Sequence, residues 1–199
     1  SMPLTAGNHV ELLADYQQSI DSMIEAIGTA EQYVHVEFYI MALDDMTSPF
    51  FDALDAATAR GVEVRLLFDH LGTRGIPGYK DLLKRLEKSD ISWHAMMPLK
   101  PLKWRFRRPD LRNHRKLLVV DDHVGFTGSL NLTHPSYNKP KNIKRGREWV
   151  ELWMRLEGPI VAAVDALFAA DWYTESGEAV QVLTHTVGDL PRNPRETVN

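Results

Sequence analysis

The residues of this chain that are best suited to chemistry form one ungapped pattern, H-x-K-x4-D-x6-G-S-x-N. Its six fixed positions are His114, Lys116, Asp121, Gly128, Ser129 and Asn131. A lysine ammonium neutralises phosphoryl oxygens, and an imidazole with an ordinary pKa near neutrality can attack phosphorus or move a proton. The pattern therefore predicts a site for one phosphodiester, with His114, Lys116 and Asp121 as its catalytic positions.

The histidine and the lysine stand at the start of a predicted strand. In the strand predicted at residues 116–120, the four residues after the lysine are apolar and the last two are β-branched, which is typical of a buried strand. Side chains alternate between the two faces of a strand, so His114 and Lys116 should point the same way. Asp121 has the opposite parity. We therefore expect it to take an orienting or structural role without touching the same phosphate.

The second part of the pattern follows a predicted return strand at residues 124–127. Gly128 has no Cβ, which allows the backbone to approach a ligand closely. Ser129 and Asn131 are two residues apart and share a face, so both can donate hydrogen bonds to a phosphoryl oxygen. Donors fixed in this way stabilise a phosphorane-like transition state. We therefore expect these three residues to bind the substrate phosphate.

Length and composition bound the class of protein. A chain of 199 residues is one domain by default, and its net charge of −4 excludes a nucleic-acid-binding polycation as a whole. The absence of cysteine excludes disulfides and thiolate metal sites. No apolar run approaches the roughly 18 residues that span a bilayer. Residues 1–15 lack the pattern of a signal peptide.

The positive charges are concentrated around the motif. Thirteen of the 23 lysine and arginine residues lie between residues 99 and 147. A local basic field on an acidic protein suits an anionic substrate, although any single cation is typical of a solvated face. Trp104 and Phe106 interleave with these cations. Such a segment enters anionic lipid, stacks on nucleic-acid bases or packs beneath a long loop, and the sequence leaves the three alternatives open.

Hydrophobic periodicity divides the chain into alternating strands and helices. Strands are predicted at residues 33–41, 62–69, 91–95, 116–120, 124–127 and 149–156. Helices are predicted at residues 10–27, 48–60, 79–88 and 159–172. The alternation indicates an α/β layered domain over residues 1–173. From about residue 174 the pattern is lost and proline, glycine and asparagine increase, so residues 174–199 are predicted to be a linker-like tail.

Beyond the six-residue pattern, the sequence resembles the first catalytic half of bacterial cardiolipin synthases, which belong to the phospholipase D superfamily. Residues 112–121 read RNHRKLLVVD, close to the R-N-H-R-K block of that family, and the resemblance extends over about residues 10–172. Glu37 matches an acidic position on the family's early strand. Glu151 stands where relatives usually carry aspartate, and it keeps the carboxylate.

The resemblance implies a phospholipase D-like layered domain in which a mixed central β-sheet is flanked by helices on both faces. In the superfamily two such halves meet, and no metal or cofactor is needed. One motif histidine becomes a phosphohistidine, while the other protonates the leaving alcohol and activates the acceptor. His114 would be the nucleophile or its acid–base partner, and Glu37 and Glu151 would orient the histidines. The phosphoryl oxygens would be held by Lys116, Ser129 and Asn131.

The resemblance also implies a substrate and a place of action. Cardiolipin synthases join two phosphatidylglycerol molecules into cardiolipin and glycerol, and they usually carry transmembrane helices ahead of the first half. We therefore expect a fragment with one of two halves, itself soluble. Its full-length protein would act on anionic phospholipid at the cytoplasmic face of the membrane. The second motif would come from the same natural chain or from a homodimer mate.

Two other functions stay open at the level of sequence. The single motif also fits a homodimeric, metal-independent phosphodiesterase, either a phospholipase D or one of the small phospholipase D-like nucleases that act on nucleic acid. Those nucleases are shorter, and the best-matching blocks here are those of the lipid enzymes. The third hypothesis is a non-catalytic phosphate-binding module, against which the intact motif argues.

The motif predicts that His114→Ala abolishes turnover in any form of the protein that holds a complete site, while the fold is retained. The reason is that the imidazole forms the covalent bond to phosphorus or carries the proton. Turnover assays and circular dichroism measure the two parts separately. Unchanged turnover in the variant would rule out this mechanism.

Overall fold

The structure is a computed structural model that describes residues 6–98 and 112–180. Within these residues, one mixed sheet contains the strands β1 (His9–Leu13), β2 (Tyr33–Phe38), β3 (Glu63–Asp69), β4 (Ser92–Met96), β5 (Leu117–Val120), β6 (Val124–Gly128) and β7 (Trp153–Glu157). The helices are α1 (Tyr16–Gly28), α2 (Ser48–Ala59), α3 (His70–Arg74), α4 (Tyr79–Leu86), α5 (Pro140–Lys144) and α6 (Ile160–Ser176). None of these described helices is long and apolar enough to cross a membrane. Trp104 and Phe106 lie outside the described residues.

The sheet combines parallel and antiparallel pairing. Its strands are ordered β1-β7-β6-β5-β2-β3-β4. The strands β2, β3 and β4 are parallel, because helices lie between them in the chain. The strands β5, β6, β7 and β1 extend the sheet by antiparallel pairs on the other side of β2. As a result β2 lies inside the sheet, and all of its residues are buried.

Helices cover both faces of the sheet. On one face Val36 of β2 belongs to a single apolar cluster with Ile20 of α1 and Phe50 of α2. On the other face Leu117 of β5 packs in a second cluster with Phe168 of α6. Alternation along each strand sends the two sets of side chains to opposite faces. The structure thus confirms the predicted α/β fold, a mixed sheet flanked by helices on both faces.

The prediction of one helix over residues 10–27 was wrong at its start. The first of these residues form β1, an edge strand that pairs antiparallel with β7. Val10 and Leu12 are 51 % and 63 % exposed, so they do not belong to a buried helix face. The helix begins after Asp15, whose carboxylate accepts a hydrogen bond from the Gln18 amide at 2.8 Å and caps the first turn.

The strand predicted at residues 149–156 also begins later than expected. The Trp149 amide donates a hydrogen bond to the carbonyl of Pro135 at 3.1 Å, so the chain there contacts a loop and not the sheet. The ladder starts with β7, opposite β6. Glu151 therefore lies before the strand, in the segment that leads into it.

The C-terminal helix continues beyond its predicted end. It closes at Gly177, which adopts a left-handed conformation with φ of 79°. Just after it, Glu178 accepts a hydrogen bond from the Trp172 indole N–H at 3.2 Å. These first residues of the predicted tail, 174–199, therefore pack on the domain, which corrects its start. Most of the tail lies outside the described residues.

The motif aspartate joins two parts of the sheet. Asp121 follows β5, is 5 % exposed and has a φ of 49°. Its carboxylate accepts hydrogen bonds from three successive amides at the start of β2, those of Glu31, Gln32 and Tyr33, at 2.6, 2.9 and 2.7 Å. It stands at the opposite end of β5 from His114, and its contacts are those of a structural residue.

We expect Asp121→Ala to lower the free energy of unfolding by about 3 kcal/mol, because three amides lose a charged acceptor and one of them is buried. Asp121→Asn is the matched control, since asparagine tolerates a positive φ and keeps one acceptor oxygen. It should lose roughly half as much. Urea denaturation measures both variants, and an alanine variant as stable as the wild type would contradict the assignment.

Candidate active site

The side chain of the motif histidine is exposed to solvent and stacks on an aromatic ring. His114 lies just before β5 and is exposed. Its imidazole stacks on the ring of Tyr39, with the ring centroids 3.8 Å apart and the planes inclined by 16°. Tyr39 directly follows β2, so the imidazole packs against a side chain at the C-terminal end of the central strand. The ring edge is accessible to a substrate.

The motif lysine lies beside the same tyrosine. Lys116 is only 9 % exposed, and its ammonium donates a hydrogen bond to the His114 carbonyl at 2.9 Å. It also lies 5.8 Å from the centroid of the Tyr39 ring. Burial lowers the pKa of Lys116, and the charge of Glu151 acts in the opposite direction. Because little water contacts this ammonium, its attraction to a bound anion is weakly screened.

The two polar residues of the second motif part are already bonded to the protein. The Ser129 hydroxyl accepts a hydrogen bond from the Leu152 amide at 3.0 Å. The Asn131 carbonyl oxygen accepts one from the Ile40 amide at 3.2 Å, and its amide nitrogen donates to the Tyr137 hydroxyl at 2.8 Å. Ser129 is exposed, whereas Asn131 is buried beside Ile40, the residue after Tyr39.

Gly128 is required for a different reason from the predicted one. We expected the missing Cβ to make room for a ligand. In the structure an added Cβ would lie 2.3 Å from the carbonyl oxygen of Leu152 and 2.8 Å from the Trp153 ring. The glycine therefore allows β6 to pack closely against the start of β7, and the substrate is not what occupies this space.

Glu151 lies near the lysine of the site. Its charge raises the pKa of Lys116 and also that of the Tyr137 hydroxyl. Burial raises the pKa of Tyr137, while the hydrogen bond from Asn131 lowers it. Among the described residues the charge of Glu151 acts on Lys116 and Tyr137. Its predicted role, the orientation of a motif histidine, stays a prediction.

Glu37 acts on the residue next to His114. It is fully buried, and its Oε1 accepts a hydrogen bond from the Asn113 side-chain amide at 2.7 Å. Burial, followed by the nearby charge of Asp171, raises the pKa of Glu37 to about 8. The predicted contact with an imidazole is thus replaced by a contact with an amide. Burial and the charge of Asp171 thus favour the protonated form of this carboxyl group.

Four residues of the site region had no predicted role, namely Tyr39, Asn113, Tyr137 and Asp171. Two had a usable signal. Tyr39 shares the strand parity of Glu37, and Asn113 stands inside the same block as the histidine. Tyr137 and Asp171 reach the site from a loop and from α6, and no local pattern marks them. Within the described residues, no three acidic or histidine side chains gather as they would around a metal ion.

The fold and the site together define the class of protein. A mixed sheet with helices on both faces carries the histidine and the lysine next to its central strand, as in a phospholipase D-like domain. The chain belongs to the family described as cardiolipin synthase, PLD-like domain, whose model matches residues 23–172.

Known proteins agree with this assignment. Cardiolipin synthase A of Wigglesworthia glossinidia brevipalpis is 34 % identical over 172 residues, which are 86 % of this chain and 34 % of that protein. The chain thus spans about a third of the length of the curated relatives it matches. NucT from Helicobacter pylori has a similar fold, with a TM-score of 0.62 and 16 % identity over 85 % of this chain and 98 % of that one.

A second solved structure shows the same fold. It is Nuc from Salmonella typhimurium, described as a phospholipase D family member, with a TM-score of 0.61 and 17 % identity. The likeness covers 88 % of this chain and 99 % of Nuc. At this level of identity the two solved structures support the fold alone.

The raised pKa of Glu37 predicts a pH dependence of stability. The folded protein keeps this proton up to about pH 8, whereas the unfolded chain releases it near pH 4.5. Between these values the folded state binds more protons than the unfolded state. The free energy of unfolding should therefore fall as pH rises through this window, and this group should have no further effect above it.

Glu37→Gln tests this dependence, because glutamine has no proton to release. The fall in unfolding free energy between pH 4.5 and 8 should be shallower in the variant than in the wild type. Urea denaturation at a series of pH values provides the measurement. Identical slopes in the two proteins would contradict a protonated Glu37.

Proposed function

We propose that this chain provides one motif half of a phosphatidyltransferase of the cardiolipin synthase type. The observation that carries the proposal is an exposed imidazole, His114, held face to face with Tyr39 beside the buried ammonium of Lys116. This pair presents a nucleophile and a cation to the same anionic group. The family match over residues 23–172 supports a lipid phosphodiester as that group.

The proposed reaction has two displacements at phosphorus. In the first, the His114 imidazole forms a nitrogen–phosphorus bond with phosphatidylglycerol, and the bond from phosphorus to the glycerol oxygen breaks. Glycerol leaves with a proton from the second motif histidine. In the second, a hydroxyl of another phosphatidylglycerol gives its proton to that histidine and attacks phosphorus. Cardiolipin forms and His114 is released.

The remaining motif residues hold the phosphoryl oxygens in this proposal. Lys116 neutralises negative charge, and its burial strengthens that interaction by excluding water. Ser129 and Asn131 donate hydrogen bonds to the same group. Each side chain accepts a hydrogen bond from a backbone amide, Ser129 from Leu152 and Asn131 from Ile40, so both are held in place before the phosphate arrives. Preorganised donors of this kind lower the barrier without moving in the reaction.

A second motif half is part of the proposal. The chain spans about a third of its curated relatives and carries the pattern once, while the mechanism uses two histidines. The partner half comes from the same natural chain or from a homodimer mate. Its substrate is an anionic phospholipid, and we place the reaction at the cytoplasmic face of the membrane.

One observation favours a second candidate function. This single domain covers 98 % and 99 % of the chains of NucT and Nuc, so proteins of this fold exist at this size. A homodimeric phosphodiesterase that acts on a phospholipid or on nucleic acid is therefore the alternative. It uses the same nucleophile but transfers the phosphoryl group to water.

A substrate with a good leaving group tests the first displacement on this chain alone, because p-nitrophenolate leaves without a proton from a second histidine. We expect a burst of one p-nitrophenolate per chain from the p-nitrophenyl ester of phosphatidic acid. The burst from the p-nitrophenyl ester of thymidine monophosphate should be smaller and slower. His114→Ala should give none, and His123→Ala, which alters an exposed histidine at the other end of β5, should behave as the wild type.

The outcomes separate the candidates. A faster burst with the nucleotide ester would favour a phosphodiesterase of nucleic acid. No burst with either ester, both from this chain and from a form with both motif halves, would exclude both enzymatic proposals. Mass spectrometry of a form with both motif halves then distinguishes transfer, which yields cardiolipin and glycerol, from hydrolysis, which yields phosphatidic acid and glycerol.

A further inference from the structure

One cluster of polar side chains, buried at Glu37 and exposed at Arg115, anchors the backbone on both sides of His114. It consists of Glu37 from β2, Asn113 and Arg115 from the motif segment, and Asp171 from α6, and we call it the carboxyl clamp. Asn113 donates hydrogen bonds to Glu37 at 2.7 Å and to Asp171 at 2.6 Å. Arg115 donates two hydrogen bonds to Asp171, at 2.9 and 3.0 Å. The nucleophile stands between the two anchored residues.

Asn113 uses its full bonding capacity in this cluster. Its side-chain amide has two N–H donors, which serve Glu37 and Asp171, and its carbonyl oxygen accepts the Arg115 backbone N–H at 2.9 Å. The last bond spans His114 and fixes a turn at that residue. Because all three bonds must be satisfied together, the turn has one favoured conformation.

The clamp needs one proton on its carboxyl groups. Asn113 can donate to both carboxyl groups, but Oε2 of Glu37 is buried and has no hydrogen-bond donor among the described residues. Glu37 and Asp171 both lie within 2.7 Å of the Asn113 side-chain nitrogen, so two ionised carboxylates would stand close together there. A proton on Glu37 removes the repulsion between them.

The other groups around Glu37 do not replace that proton. The strand neighbours of Glu37 are Leu67 on β3 and Leu117 on β5, which are apolar. The next polar group on the same face is His35, which is paired with Asp165 of α6. Arg115 lowers the pKa of Glu37, but it is bonded to Asp171, and the net effect of burial and Asp171 raises it.

We propose that Asn113, Asp171 and protonated Glu37 are positioning residues that set the backbone of His114, and that loss of the Glu37 proton releases it. The inference goes beyond the proposed function, because it concerns the placement of the nucleophile and not the identity of the substrate. The imidazole itself remains outside the clamp, stacked on Tyr39. Ionisation of Glu37 places two carboxylates side by side at Asn113, so the turn that holds His114 opens.

Carbon-detected nuclear magnetic resonance tests this on the chain as it stands, without any activity. The backbone carbonyl and nitrogen shifts of Asn113, His114 and Arg115 are followed from pH 6 to 10, together with the side-chain carboxyl carbon of Glu37. In the wild type, all of them should change in one transition centred near pH 8, the pKa of Glu37. Since no turnover is needed, failure here is distinct from failure of the proposed function.

Two variants separate positioning from a general structural effect. Glu37→Gln mimics the protonated acid, so its His114 shifts should match the wild type at low pH and should stay there through pH 10. Glu25→Gln, an exposed position on α1, should retain the wild-type transition. Asp171→Asn should displace the His114 shifts at every pH, because Arg115 loses its ion pair.

Defined results would overturn the proposal. One is a Glu37 transition that leaves the shifts of His114 and Arg115 unchanged, which would show that the clamp does not set the turn. Another is a His114 transition near pH 8 that persists in Glu37→Gln, which would assign it to another group. In a form with both motif halves, we expect kcat of the wild type to fall above about pH 8 and Glu37→Gln to remove that fall, with KM unchanged in both.

Discussion

The polar face of the central strand is the constraint on which the rest of the structure depends. Although β2 is buried on both faces, three of its side chains that face α6 carry polar groups, namely Tyr33, His35 and Glu37. A buried polar group left without a partner costs about 1–3 kcal/mol. Asp165 of α6 contacts the first two, at 2.9 and 2.6 Å, and Asn113 contacts the third at 2.7 Å. The positions of the last helix and of the motif segment are therefore both set by the hydrogen bonds that one strand requires.

This arrangement separates the placement of the nucleophile from its chemistry. The backbone near His114 is fixed on both sides, since the buried side chain of Arg112 donates to Asp69 at 2.6 Å and the exposed Arg115 is bonded to Asp171. The imidazole, in contrast, is exposed and touches only the flat face of Tyr39 among the ring contacts of the described residues. A rigid backbone with an accessible ring suits a nucleophile that must form a bond to phosphorus and later break it. The imidazole can change its contacts while the backbone of His114 stays in place.

The sequence predicted the layers of the fold well, because the apolar run of β2 and the hydrophobic periodicity of the helices are local features. It predicted the start of the chain poorly, because Val10 and Leu12 fit a helical spacing that pairing with β7 overrides. For the site, fixed spacing identified the motif residues. Spacing could not show that Gly128 packs against β7 or that Asp171 reaches Asn113, since both depend on segments distant in the chain. Contacts of that kind are set by tertiary packing.

The hydrogen bonds of the motif residues also explain why one half makes an incomplete site. The side-chain amide of Asn131 has two donors, of which Tyr137 takes one, and the Ser129 hydroxyl is engaged with the backbone of Leu152. Lys116 adds one buried cation, part of whose field is offset by Glu151. A phosphodiester in transfer spreads negative charge over several oxygens, more than these donors can serve. In the proposed transfer, further donors and a proton for the leaving alcohol would come from outside these residues, on the side where the His114 ring is exposed. The proposed mechanism therefore needs a second motif at that face, whichever chain provides it.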